Sequence, residues 1–245
     1  MADGHSPLAQ FEIKRLANLQ FLGLDASFSN SAAWMVIAVA AATALLVLGM
    51  RQRAMVPSRT QSMAELLYEF IADMLRENVG NAGRQYFPFV FTLFVFILFC
   101  NLLGMVPFSF TPTSHIIVTF AMAAVVFVGV TLIGFARHGA HFLSFFVPKD
   151  VPAPLLVLLV PIEVLSYFVR PVSLSLRLFA NMMAGHTMLK VFAGFVIALG
   201  PLLGWAPLAF VVALTGLEIG IAVLQAYVFT VLTCLYLNDA IHLHH

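Results

Sequence analysis

The chain is 245 residues long, 62% hydrophobic and only 9% charged, with a mean hydropathy of +1.00. Soluble domains carry roughly 25% charged residues, so this composition cannot cover itself in water and belongs in a membrane. The net charge of +1 excludes a basic nucleic-acid-binding surface as the organising feature.

Residues 1–31 are mixed polar, with Asp3, Glu12, Lys14, Arg15 and Asp25 scattered through them. The first long apolar run begins at Ala32, too late for the h-region of a signal peptide. This segment reads as an ordered or partly ordered arm to which the sequence assigns no chemistry. Ala32–Met50, Pro88–Phe108 and Ile116–Ala136 are uncharged apolar runs of the length, about 20 residues, that crosses ~30 Å of hydrocarbon as a helix. Between the first two lies a different pattern, at 62–79. Met63, Leu66, Leu67, Phe70, Ile71, Met74 and Leu75 recur at the three-and-four spacing of one helical face, and Glu65, Glu69, Asp73, Arg76 and Glu77 occupy the other. That is an amphipathic helix lying on the membrane surface.

After Pro152 the chain stays apolar almost to its end, interrupted only near Gly200–Pro207. Segments 153–196 and 206–240 would each be ~50–65 Å long as helices. Neither can stand upright in a bilayer, so they are expected to be steeply tilted, bent or broken, with Pro161 and Pro171 as places to bend. The expected fold is an all-α integral membrane protein with five membrane segments and one amphipathic surface helix, the last two helices forming a tilted hairpin. It divides into an arm (1–31), a transmembrane part (32–150) and the hairpin (151–245). Arg51, Arg53, Arg59, Arg76 and Arg84 fall in the 51–87 connection, and Arg137 and Lys149 in the 137–150 connection. The 109–115 and 197–206 connections hold neither Lys nor Arg. By the positive-inside rule the N-terminus is outside and the C-terminus cytoplasmic, although Lys14 and Arg15 pull weakly the other way.

Between residues 153 and 240 charge is sparse: Glu163, Arg170, Arg177, Lys190, Glu218 and Asp239. Asp239 and Lys190 lie near membrane edges, where snorkelling accounts for them. An ionised side chain at mid-membrane costs about 2.5–3.5 kcal/mol on insertion scales, so the others need a wet cavity or a partner. At about 100° per residue, Glu163, Arg170, Ser173, Arg177 and Asn181 fall on one stripe of a helix. Glu218 and Gln225 share a face of the last helix, with Tyr236 further along it. Two polar stripes on two over-long helices describe the walls of a path. The bland alternative is a set of buried pairs, such as Glu163 with Arg170, that hold the helices together. Arg177 has no acid within two turns of its own helix, which leaves a carboxylate on another chain as its natural counter-ion. His186 faces a different wall from Arg177, and a His–Glu pair with Glu218 exchanges protons near neutral pH. A haem is disfavoured because no second His lies at depth. Cys100 and Cys234 lie in apolar runs and read as small hydrophobes.

The run from Pro171 to His186, PVSLSLRLFANMMAGH, resembles the signature of the a subunit of F-type ATP synthases, with its Ser-Leu-x-x-Arg-Leu-x-x-Asn core. Glu163 upstream, Glu218 and Gln225 downstream, and the terminal Tyr-Leu-x-Asp-Ala-Ile also match. Some members exchange the His and Glu positions; this chain has the arrangement of mitochondrial and related bacterial forms. The resemblance implies a proton-translocating stator subunit in a bacterial inner membrane, pressed against a ring of c subunits and held by the b subunits of a peripheral stalk. It implies that Arg177 meets the ring carboxylates and is the proton barrier between two offset half-channels. His186, Glu218, Asn181 and Gln225 would serve the outer half-channel, and Glu163, Ser173, Arg170 and Tyr236 the inner one. No metal, cofactor or nucleotide is expected on this chain, which has no Gly-rich loop ending in Lys-Ser or Lys-Thr. Two other classes compete: a membrane scaffold or quinone-handling respiratory subunit with purely structural charges, and a self-contained secondary transporter. The absence of an internal repeat counts against the transporter.

Overall fold

A computed structural model describes residues 11–13, 15–17, 20–21, 24–25, 27–51, 57–106, 109–147 and 152–242. Lys14, Arg53 and Lys149, on which part of the orientation rests, and Phe108, the expected end of the second apolar run, lie outside the described residues.

The arm contributes an element that an all-helical reading does not contain. Strand β1 (Arg15–Ala17) pairs antiparallel with β4 (Phe28–Ser29), and β2 (Gln20–Phe21) pairs with β3 (Leu24–Asp25). Ser29 then caps helix α1 (Asn30–Met50), its Oγ accepting from the Ala32 N–H at 3.3 Å. Such a cap satisfies one of the orphan donors at a helix start and contributes about 1 kcal/mol. Ser58 does the same for α2 (Arg59–Val79), accepting from the Gln61 N–H at 3.4 Å. Gly80, at φ +74°, stops α2 in a conformation that a side chain would oppose. A 3₁₀ segment (Asn81–Tyr86) leads into α3 (Phe87–Gly104).

Helix α2 follows its amphipathic pattern, but its apolar face is divided. Ile71, Met74 and Leu75 are buried in the core, whereas Met63, Leu66 and Phe70 stay exposed. The helix therefore both packs on the bundle and presents an apolar edge.

After α3 the chain folds back through a short 3₁₀ turn (Pro112–Ser114) into α4 (Ile116–His138), followed by a 3₁₀ segment (Gly139–Phe146). Helix α5 (Ala153–Ala198) runs through Pro161 and Pro171 without a break in its helical assignment. A single turn, α6 (Gly200–Leu203), separates it from α7 (Trp205–Ile241). With 46 and 37 residues, α5 and α7 are roughly 69 Å and 55 Å long, about twice the ~30 Å hydrocarbon thickness. Among the described residues, five helical stretches, including these two, are long and apolar enough to cross a membrane.

Helix α7 is the hub, packing against α2, α3, α4 and α5. Its buried face carries Ala222, Ala226, Phe229 and Cys234. Small residues there let neighbouring backbones approach, which is how membrane helices associate without a hydrophobic driving force between them. Thr230 and Thr233 are also buried, and each hydroxyl donates to the carbonyl four residues back, at 2.8 and 2.9 Å. The two threonine hydroxyls are thereby satisfied within their own helix.

Candidate functional site

Antiparallel helices turning at α6 bring residues equally far from the turn to the same depth. His186 on α5 and Glu218 on α7 are such a pair, and His186 Nδ1 lies 3.0 Å from Glu218 Oε1. The approach is off the ring N–H direction, and neither carboxylate oxygen has a hydrogen-bond partner among the described residues. A buried carboxyl without a partner is the kind of exception that calls for a chemical reason.

The other ring nitrogen is tied down. Thr111 Oγ1 stands 2.8 Å from His186 Nε2 and donates its own proton to the Gly104 carbonyl at 3.3 Å. With the hydroxyl proton on that carbonyl, Oγ1 accepts from Nε2–H and a neutral ring turns an unprotonated Nδ1 towards Glu218; with Nε2 unprotonated, the hydroxyl donates to the ring instead. Held 3.0 Å apart, Nδ1 and the carboxyl are close enough to share a proton only after a rotation aligns them. Two glycines make the close approaches possible. A Cβ at Gly104 would collide with Thr111, and a Cβ at Gly185 would stand 2.6 Å from Glu218 Oε1.

Two cavities meet at this pair. One, of about 380 Å³, includes His186, Thr111, Lys190, Ala193 and Thr215 in its lining. The second, of about 170 Å³, includes Glu218, Gly185 and Asn181. Leu189 is common to both linings. The His186–Glu218 contact thus joins a cavity that opens on the imidazole to one that opens on the carboxyl.

Beyond Glu218, Asn181 Nδ2 donates to Gln225 Oε1 at 2.8 Å, linking α5 to α7 a second time. Arg177 is exposed and makes no hydrogen bond or ion pair with any described residue. Around it on the same open face stand Val172, Leu176 and the small side chains of Ser173 and Ala180.

Arg170 behaves differently. The pairing considered for it with Glu163 does not form: its Nη1 bonds Asp239 Oδ2 of α7 at 2.9 Å. Its guanidinium carbon also lies 5.1 Å from the Tyr236 ring centroid, 5.5 Å from that of Tyr167 and 5.7 Å from that of Phe145. These are cation–π distances. Asp239, read from sequence as an edge charge that snorkels, is instead the acid that holds Arg170. Glu163 is half-buried and has no hydrogen-bond or ion-pair partner among the described residues. Ser173 is exposed, and its hydroxyl turns back onto the Arg170 carbonyl at 3.0 Å. Arg170, Tyr236 and Asp239 therefore cluster at the far end of the hairpin, while Glu163 and Ser173 remain outside that cluster.

Sequence reasoning missed Thr111, Gly185 and Asn101. Asn101 is completely buried on α3; its Nδ2 donates to the Ala222 carbonyl at 3.1 Å and its Oδ1 accepts from Thr113 at 2.8 Å. It fastens α3 and the 111–113 turn to α7 one helical turn from Glu218. An amide inside an apolar run was a readable signal, since polar side chains at depth bridge helices. Thr111 and Gly185 carried no such signal.

The chain matches the ATP synthase A chain family over residues 32–238. It is 58% identical over 245 residues to the ATP synthase subunit a of Paramagnetospirillum magneticum, covering 98% of this chain and 99% of that protein. Identity to the ATP synthase subunit a of Pelagibacter ubique is 55% over 241 residues, covering 98% and 99% respectively. To the subunit of the same name from Rhodospirillum rubrum it is 55% over 240 residues, covering 98% of this chain and all, 100%, of that one.

Proposed function

Since this chain belongs to the ATP synthase A chain family, we propose that it carries protons to and from a c-subunit ring through two offset half-channels with Arg177 as the barrier between them. Membership makes it a membrane-embedded, proton-translocating stator subunit of the Fo sector, working in a complex with other Fo subunits and not itself catalytic. It is a multi-pass protein of the bacterial inner membrane.

The observation that carries the finer reading is the unpaired Arg177 on an exposed, otherwise apolar or small-residue face of α5. A guanidinium cannot be left against lipid without a penalty, and its companion Arg170 already has its own acid. A carboxylate delivered by a neighbouring chain removes the penalty, and a ring of c subunits delivers one after another. Guanidinium stays protonated under any reachable condition, so Arg177 cannot relay a proton, and its charge repels hydronium. It favours the ionised form of each arriving carboxyl and so promotes proton release to the exit side.

The outer half-channel begins at the 380 Å³ cavity, crosses the His186–Glu218 pair and continues through the cavity that Asn181 lines, with Gln225 bonded behind it. The inner one lies towards Glu163, Ser173, Arg170 and Tyr236, where Arg170 orients the wall through Asp239. Each proton crossing supplies about 2.3 kcal/mol per 100 mV. The N-terminus is outside and the C-terminus cytoplasmic. In support, Phe11 of the arm lines the same cavity as Met105 and Ser109, beside the turn that lacks Lys and Arg. The b subunits of the peripheral stalk hold the chain static against the ring.

Arg177→Ala in the intact complex tests the reading. The complex should assemble with its full subunit set and lose coupled proton transport, and Arg177→Lys should do the same because a buried ammonium loses its proton where guanidinium does not. Normal ATP-driven pumping in assembled Arg177→Lys complexes would refute the barrier; loss of assembly in both would favour the scaffold alternative.

A further inference from the structure

The sequence assigns no chemistry to the N-terminal arm, yet the arm reaches the relay. We propose that Phe11 forms a wall of the outer cavity and is a positioning residue that shields His186 from open exchange with outside water; this rests on the half-channel reading above.

Phe11 is half-buried and lines the 380 Å³ cavity opposite Ala193 and Thr215. Its ring centroid is 6.5 Å from that of His186, tilted by 43°. Three ties hold it there. The His115 ring, at the start of α4, hydrogen-bonds the Phe11 main chain. Asn30, the first residue of α1, donates from Nδ2 to the Glu12 carbonyl at 3.1 Å. The pairing of β1 with β4 fixes the arm's return to α1. Segments from three places in the chain thus converge to hold one aromatic ring in the lining of a cavity that also contains an imidazole.

The physical consequence follows from size and hydration. An apolar ring in the cavity wall offers no oxygen ligands to replace the hydration shell of a metal cation, so such ions meet a barrier. A proton passes along hydrogen-bonded water without carrying a shell. With Phe11 present the cavity admits water and protons and resists bulkier cations; without it, His186 sits at the bottom of an open pit.

The test uses the whole ATP synthase in membrane vesicles with a single reporter thiol at Ala193, which lines the cavity and has no part in the relay. Background is low because Cys100 and Cys234 are buried. The probe is a membrane-impermeant cationic methanethiosulfonate applied from the outer side. Labelling should be severalfold faster with Phe11→Ala than with Phe11 retained, slower with Phe11→Trp, and unchanged with Phe11→Leu, which keeps the apolar fill. Three substitutions with three different expectations leave the inference testable if one of them fails to assemble. Labelling rates indifferent to residue 11 would overturn it. Modified complexes that stop ATP-driven pumping support the cavity as the proton path whichever way the rates fall. Rates that follow residue 11 while pumping survives modification would support the wall and refute the path.

Discussion

Arg170 and Asp239 form a 2.9 Å ion pair that binds α5 to the C-terminal end of α7. Arg177, two helical turns further along the same stripe, has no such partner among the described residues. Two arginines that look equivalent on a helical wheel thus divide the labour. One is held by an acid of its own chain and three aromatic rings, and the other is the one proposed to meet an acid brought from outside.

The ion pair is open to measurement by a double-mutant cycle. Its side chains are 22% and 38% exposed, so solvent screening limits its worth to about 1 kcal/mol or less. Asp239→Ala alone strands a guanidinium among aromatic rings and should lower the thermal stability of the complex more than the Arg170→Ala, Asp239→Ala double substitution does relative to Arg170→Ala. Strictly additive effects would show that the 2.9 Å contact carries no coupling.

The relay pair predicts loss of rate without loss of assembly. His186→Ala or Glu218→Ala should slow passive proton flux through Fo strongly, and exchanging the two residues should restore part of it. Gly185→Ala should mimic Glu218→Ala, because the new Cβ would stand 2.6 Å from Oε1 and displace the carboxyl. Undiminished flux in both alanine variants of the pair would remove the relay from the mechanism.

By accepting from Nε2–H, Thr111 would set the tautomer of His186. Thr111→Val keeps shape but removes the acceptor for Nε2–H, so the ring no longer presents a defined Nδ1 to Glu218. Flux should fall severalfold and its pH profile should move, whereas Thr111→Ser should keep both. A valine variant with the parent's pH profile would make Thr111 a packing residue only.

Most of the helical frame was legible because its causes are local. A run of about 20 apolar residues dictates a membrane helix wherever it occurs. The segments expected at 153–196 and 206–240 became helices 153–198 and 205–241, since nothing between their ends breaks the pattern but two prolines. Equal distance from the turn sufficed to set His186 beside Glu218. What the tertiary structure alone decided was every contact set by another segment's approach. Arg170 takes Asp239 and not Glu163, because helical spacing orders residues on their own helix and says nothing of the register of the facing one. Thr111 reaches His186 across 75 positions of sequence only because Gly104 leaves room for the returning turn. Phe11 reaches the same imidazole because strand pairing and two side-chain ties fold the arm over the cavity. Periodicity is a property of one element, whereas a site is made where several elements meet.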